Sequence, residues 1–260
     1  MTASPGRGVI DRPDGTTIAY DVDGDGPAVV FLHGLTNRRR GWDPVTAPLR
    51  AEFTCVRVDL RGHGESSLAR EYSMASLVGD VRAVVDELDI AKPAVVGHSL
   101  GGTAAAVYAA ANPVRAIVCV DVWLRFGDFA SLLRRYERDL RENTMEAVLE
   151  IDRELGLGCY EDVAGFESRV LAFPPEVVLG IWAQALIAPP EQLTAVSETL
   201  LPRITVPLLS LHGSQPPAGY ESWLTGLVPT AEIEVWDGMG HLLHLVDPAR
   251  FAARVAPLLR

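Results

Sequence analysis

The stretch Ala94-Val95-Val96-Gly97-His98-Ser99-Leu100-Gly101-Gly102 decides how the rest of the chain is read. Ala94-Val95-Val96 is apolar, as suits a buried strand, while Thr103 to Ala111 is rich in alanine, as suits a helix. Passing from one to the other within a few residues takes a very tight turn, and Ser99 sits at it. Gly97 and Gly101 stand two residues either side, where strand and helix pack so closely that a side chain would collide. Such a turn lifts the serine hydroxyl out of the sheet. It also leaves the Leu100 N–H at a helix N-terminus, where developing negative charge is stabilised. Gly-x-Ser-x-Gly alone occurs by chance in many chains, so its meaning comes from the strand before it, the small-residue helix after it and spaced partners elsewhere.

Outward from this turn the pattern is an alternation of strands and helices. Upstream, Val9 to Asp11 and Thr17 to Asp21 flank Arg12-Pro13-Asp14-Gly15 as an antiparallel hairpin. Ala28-Val29-Val30-Phe31-Leu32 is a continuous apolar run, expected of a parallel strand covered on both faces. A helix near Gly41 to Ala51, a strand Phe53 to Asp59, the glycine-bearing loop Leu60 to Ser66 and an amphipathic helix Ser73 to Leu88 follow. Downstream, Ala116 to Val120 is a buried strand ending at Asp121. The alternation predicts a doubly wound, mostly parallel sheet of eight strands, completed by Pro207 to His212 and Ala231 to Trp236 and closed by a helix from Pro248.

Between Asp121 and the seventh strand the strand rhythm stops, and three apolar stripes at helical spacing appear. They are Phe129 to Leu140, Met145 to Leu155 and Val178 to Leu186, punctuated by Pro174-Pro175 and Pro189-Pro190. We expect a core domain of residues 1–121 and 201–260, with 122–200 a helical cap over the C-terminal edge of the sheet, where open α/β folds hold their ligands.

With 260 residues, 48% hydrophobic and 22% charged, the chain suits one large core plus an insertion. A formal charge of −11 argues against nucleic-acid binding, which needs a basic surface. Cys55, Cys119 and Cys159 are odd in number, two of them in apolar strand-like runs, and no Cys/His metal spacing occurs. The N-terminal Met1 to Arg7 lacks an apolar signal core, and no run approaches the ~18–20 apolar residues of a membrane span. The expectation is a cytoplasmic protein with no membrane or nucleic-acid partner and neither metal nor organic cofactor, homodimerisation being left open.

Taken with His33-Gly34-Leu35, Asp59 to Ser66 and Gly238-Met239-Gly240-His241, the Ser99 turn resembles the α/β-hydrolase superfamily over nearly the whole chain. The resemblance implies Ser99 as nucleophile, His241 as base, and the N–H groups of Leu35 and Leu100 as the oxyanion hole. The chemistry agrees, because a serine hydroxyl is a weak nucleophile until an imidazole takes its proton, and a tetrahedral oxyanion needs fixed donors.

The acid departs from the family's commonest pattern, which places an aspartate in the loop beginning His212-Gly213. Here that loop reads Ser214-Gln215-Pro216-Pro217-Ala218-Gly219-Tyr220-Glu221. Other members of the family carry the acid after the strand that follows the nucleophile, where this chain has Asp121. Asp121 is the preferred acid, with Glu221, Asp237 or a degraded triad as alternatives.

The remaining candidates have plainer readings. His98, His63 and His33 are expected to be structural, the last through loop backbone. His244, three residues past His241, is expected on the next helical turn, lining the pocket. Arg38-Arg39-Arg40 is either a solvated face or a source of anion-binding donors at the pocket mouth. Trp42, Trp123, Phe126, Trp182 and Trp223 are core or pocket, with Trp123 and Phe126 the best pocket candidates beside Trp182.

The expected activity is hydrolysis of a small to medium, largely apolar carboxylic ester or lactone through an acyl-enzyme. A carbon–carbon bond hydrolase, a lyase or cyclase, or a ligand receptor on the same scaffold are the rivals.

Overall fold

The computed structural model describes residues 6–260; Met1 to Pro5, part of the segment without a signal core, lies outside them. The strands are β1 (Gly6–Asp11), β2 (Thr17–Asp23), β3 (Ala28–Leu32), β4 (Thr54–Val58), β5 (Ala94–His98), β6 (Ile117–Val120), β7 (Leu208–His212) and β8 (Ala231–Val235). They form one eight-stranded sheet in the order β1-β2-β4-β3-β5-β6-β7-β8. The β1–β2 and β2–β4 pairs are antiparallel, and every pair from β4–β3 onward is parallel. This is the doubly wound architecture expected from the sequence.

The helices between strands explain why the central strands are apolar throughout. On one face lie α1 (Asp43–Leu49), preceded by a 3-10 turn at Arg39–Trp42, and the C-terminal helix Pro248–Leu259. They bury Trp42, Val45, Phe251 and Val255 against Val29, Phe31 and Val96. On the other lie α2 (Met74–Glu87) and α3 (Leu100–Ala109), whose Leu77, Val81, Ala104 and Ala105 pack on Val30, Leu32 and Val95. Successive residues of β3 and β5 thus serve opposite cores, as the two-residue period of a strand requires.

Between β6 and β7 stand six helices, where three stripes suggested fewer: α4 (Phe126–Arg135), α5 (Glu137–Glu142), α6 (Thr144–Leu155), α7 (Val163–Leu171), α8 (Pro175–Ile187) and α9 (Pro190–Leu200). The first stripe is broken at Tyr136, yet both halves still face one core, because Leu132, Leu133 and Leu140 share a buried cluster with Val148, Val170 and Trp182. Pro175 opens α8 at its first turn, where its missing N–H costs nothing, and α7 and α8 meet at 86°. Among the described residues no single helix is long and apolar enough to cross a membrane. The chain ends through α10 (Tyr220–Leu227), a short α11 (Leu243–Val246) and α12, the Pro248–Leu259 helix.

The close approach inferred at the serine turn is present. A Cβ on Gly97 would meet the carbonyl of Gly101, and one on Gly101 would meet the carbonyls of Leu32 and His33. Helix α3 therefore lies against the ends of β3 and β5 without side chains between. Gly101→Ala should destabilise the fold by about 1–3 kcal/mol through overpacking against rigid backbone; a urea midpoint equal to that of the unmodified protein would refute this packing argument.

Candidate active site

Ser99 occupies the turn between β5 and α3 with φ 50°, a left-handed conformation that a non-glycine residue holds only when its surroundings impose it. Its backbone is fixed on both sides, its N–H donating to the carbonyl of Val120 (2.9 Å) and its carbonyl accepting from Gly102 and Thr103. The Leu100 N–H follows at the first position of α3. In the loop after β3 the Leu35 N–H has no protein acceptor among the described residues. Ser99, Leu35 and Leu100 all line one cavity of about 630 Å³.

Asp121 and His241 reach this cavity from beyond the ends of β6 and β8, with β7 between them. Asp121, at φ 46°, accepts a 2.6 Å hydrogen bond on Oδ2 from His241 Nδ1 and a 2.8 Å bond on Oδ1 from the Gly213 N–H. This bond assigns the Nδ1–H tautomer and leaves Nε2 of His241 as the basic nitrogen. The side chains of Asp121 and His241 are only 8% and 6% exposed. Burial pulls the His241 pKa down, but the hydrogen bond and charge of Asp121, helped by Asp152, outweigh it and leave the value raised. The other acids considered stand elsewhere: Glu221 is exposed in the first turn of α10, and Asp237 is exposed after β8.

Of the expected pocket residues, Trp123, Phe126 and Trp182 line the cavity together with Phe129 and Phe166. His244 does not. It is 2% exposed and packs behind the site, its ring 4.5 Å from His98 and 4.6 Å from Trp42. The expectation that it lines the pocket is corrected, because α11 turns the side chain inward toward the α1 and α12 core. Trp42 is core, and Trp223 packs on Tyr220 away from the cavity.

The arginine run matches neither reading in full. Arg38 and Arg40 are exposed, but Arg39 is buried, paired with Asp21, Asp59 and Glu65 beneath the oxyanion loop. No arginine of the run lines the cavity.

His98 donates from Nε2 to the carbonyl of His241 (2.8 Å), pinning the loop that carries the imidazole. His33 donates from Nδ1 to Gly34 and accepts from the Leu60 N–H on Nε2, and His63 donates from Nδ1 to the carbonyl of Arg61.

Two features escaped the sequence reading. The first is Asp152 of α6, which lines the cavity within a row of Val148, Ile151 and Leu155. An acid inside an apolar i, i+3, i+4, i+7 pattern was the available signal. The second is the Gly156-Leu157-Gly158 segment, where the carbonyl of Gly156 accepts from the His241 N–H.

Residues 29–254 match the family described as alpha/beta hydrolase. The chain belongs to the α/β-hydrolase family. An uncharacterised protein of Mycobacterium bovis is 26% identical over 256 residues, covering 90% of this chain and 75% of that protein. Two solved structures share the fold at TM-score 0.78 and 22% identity. One, an N-acyl homoserine lactone degrading enzyme, is matched over 95% of this chain and 98% of its own. The other, a thermophilic esterase from Thermogutta terrifontis, is matched over 98% of both.

Within this α/β hydrolase, five buried histidines set an acid limit on stability. Burial pushes His33 down to about 4, His63 and His244 down to about 3, His98 well below the ordinary value of 6.5, and His212 below it as well. The unfolded chain takes up protons near pH 6.5 that the folded protein refuses, so these groups favour folding above that pH. As pH falls, each costs about 1.4 kcal/mol per pH unit until its folded-state value is reached. Urea midpoints should drop steadily from pH 7 to pH 5; a flat profile would show that these imidazoles titrate normally in the folded state.

Proposed function

We propose that the protein is a serine hydrolase acting on small to medium, largely apolar carboxylic esters or lactones through an acyl-enzyme. The observation that carries this reading is the Asp121–His241 pair at 2.6 Å, opening into the same cavity as the strained Ser99. His241 Nε2 takes the proton of Ser99 Oγ as the oxygen adds to the substrate carbonyl. The resulting oxyanion is met by the N–H groups of Leu35 and Leu100, which have no competing acceptor. Collapse of the tetrahedral intermediate breaks the bond to the leaving alcohol, which receives the proton from His241. Water, deprotonated by the same imidazole, then adds to the acyl-enzyme and releases the acid and Ser99. Asp121 holds the imidazole in the productive tautomer and stabilises its charged form.

Support for an apolar substrate comes from the walls, where Trp123, Phe126, Phe129, Phe166 and Trp182 stand with Val148, Ile151 and Leu155. The receptor and lyase readings drew on the missing acid after Gly213, and Asp121 beside His241 removes that motive. Carbon–carbon bond hydrolysis uses the same residues, and product analysis on an ester, lactone and β-diketone panel separates it. Residues 122–200 act as the cap over this cavity, and the buried thiols of Cys55 and Cys119 suit a cytoplasmic enzyme.

Intact-mass labelling with a fluorophosphonate should give one adduct on the unmodified protein and none on Ser99→Ala, with turnover of 4-nitrophenyl butyrate alongside. A folded sample with neither adduct nor turnover would overturn the reading. Asp121→Asn should remain folded and lose about 10³–10⁴-fold in kcat. Because His241 must be neutral to act and its pKa is raised, activity should fall through an acid limb above the ordinary imidazole range. Removing the Asp121 charge should move that limb to lower pH; an unmoved limb would assign the acid elsewhere.

A further inference from the structure

Asp152 is a charged group of the cavity that the hydrolytic chemistry leaves unused. It projects from the cap, on α6, into a wall formed by Val148, Ile151 and Leu155 of the same helix. Half-buried, it keeps its exposed surface on the cavity, and among the described residues no hydrogen bond or ion pair satisfies its carboxylate. His241 influences it only through charge. That imidazole is neutral in its working base form and already committed to Asp121 through Nδ1. Burial raises the Asp152 pKa to about 6, a value that still lies below neutral pH, and a charge on His241 opposes the rise.

A carboxylate among apolar side chains with no partner is unfavourable for folding, and such groups mark places where a ligand supplies the partner. The other charged cavity residues do not compete for that ligand in the same way. Asp121 is paired, Glu71 is bonded to Ser73 and Ser76, and Arg70 is exposed. The cavity is also lined by aromatic rings, a residue type whose π-faces attract cations as well as alkyl groups. A formal charge of −11 over the whole chain also raises the local concentration of positive ligands.

We propose that Asp152 is a specificity residue that seats a substituted-ammonium group carried by the ester or lactone substrate, the aromatic walls covering the carbons around the cation. The ester part of this inference rests on the hydrolase reading above; the cation site does not. A hydroxyl on the substrate would occupy one carboxylate lone pair but leave its charge uncompensated, whereas an ammonium group compensates the charge.

The test compares two esters of equal shape, 4-nitrophenyl 4-(trimethylammonio)butyrate and its carbon isostere 4-nitrophenyl 5,5-dimethylhexanoate. The unmodified enzyme should favour the cationic ester in kcat/KM by about tenfold or more, and Asp152→Asn should abolish that ratio. Asp152→Leu, which also removes an unpaired, half-buried carboxylate, should melt at higher temperature and favour the neutral ester. A residue with only a structural role would change both esters together. An enzyme that favours the neutral ester or neither, or a ratio unchanged by Asp152→Asn, overturns the proposal.

If neither ester is turned over, the hydrolase reading has failed, and calorimetry decides the cation site by itself. Ser99→Ala should then bind methyl 4-(trimethylammonio)butyrate about tenfold more tightly than methyl 5,5-dimethylhexanoate, with the difference lost when Asp152→Asn is added. Equal affinities in Ser99→Ala would overturn it.

Discussion

One carboxylate ties together the ends of three strands. The backbone N–H of Asp121 donates to Leu211 (2.7 Å), Oδ1 accepts from Gly213 (2.8 Å), and Oδ2 accepts from His241 (2.6 Å). These contacts exist because β6, β7 and β8 are adjacent and parallel, so their C-terminal ends open on one edge. The same adjacency explains how the acid can sit after β6 instead of after β7. A side chain from either strand end can reach an imidazole delivered after β8. With the acid on β6, the residue after β7 is free to be glycine, and its N–H becomes a donor to the carboxylate. A Cβ on Gly213 would collide with the carbonyl of Gly240, so glycine there also lets the histidine loop pack close enough for the bond to form.

Around that bond the protein keeps its other imidazoles neutral. His98 stacks 4.5 Å from both His241 and His244, and its Nε2–H is spent on the His241 carbonyl. A proton on His98 or His244 would repel positive charge on His241, whose pKa the Asp121 contact raises. Burial prevents this, so positive charge in this cluster is favoured on His241 and disfavoured on His98 and His244. Arg39 performs a separate task beneath the oxyanion loop, balancing Asp21, Asp59 and Glu65. Removing one member of such a buried network leaves an uncompensated charge, a loss of about 3–5 kcal/mol in comparable cases.

Much of this was legible in the residues. Strand runs such as Ala28 to Leu32 are apolar throughout because both faces are covered, and glycines such as Gly97 and Gly101 declare close backbone approach. Asp121 was reachable as a candidate acid because the α/β-hydrolase resemblance includes members whose acid follows the strand after the nucleophile, and the order Ser99, Asp121, His241 agrees with it. What escaped depends on the orientation of helices that periodicity alone leaves open. His244 lies one turn from the base in sequence, but the direction of α11 sends it into the core. Arg39 reads as one of three surface arginines until the fold sets Asp21, Asp59 and Glu65 around it. Asp152 reads as one of many acids on an acidic chain until α6 is laid along the cavity.

The position of α6 has a second consequence. Immediately after it, Gly156 and Gly158 adopt φ 88° and 59° and interlock with the His241 loop, the Gly156 carbonyl accepting from the His241 N–H. A Cβ on Gly158 would strike the Met239 carbonyl, and one on Gly240 would strike the Gly156 carbonyl, so the two segments meet backbone to backbone. Helix α6 is thus joined to the His241 loop at its C-terminal end and forms cavity wall through Val148, Ile151 and Asp152 one to two turns earlier. Asp152 therefore stands on the helix whose C-terminal cap residue, Gly156, holds the His241 backbone. A displacement of α6 that carried Gly156 with it would break the Gly156–His241 hydrogen bond, so the positions of the cavity wall and of the His241 loop depend on each other.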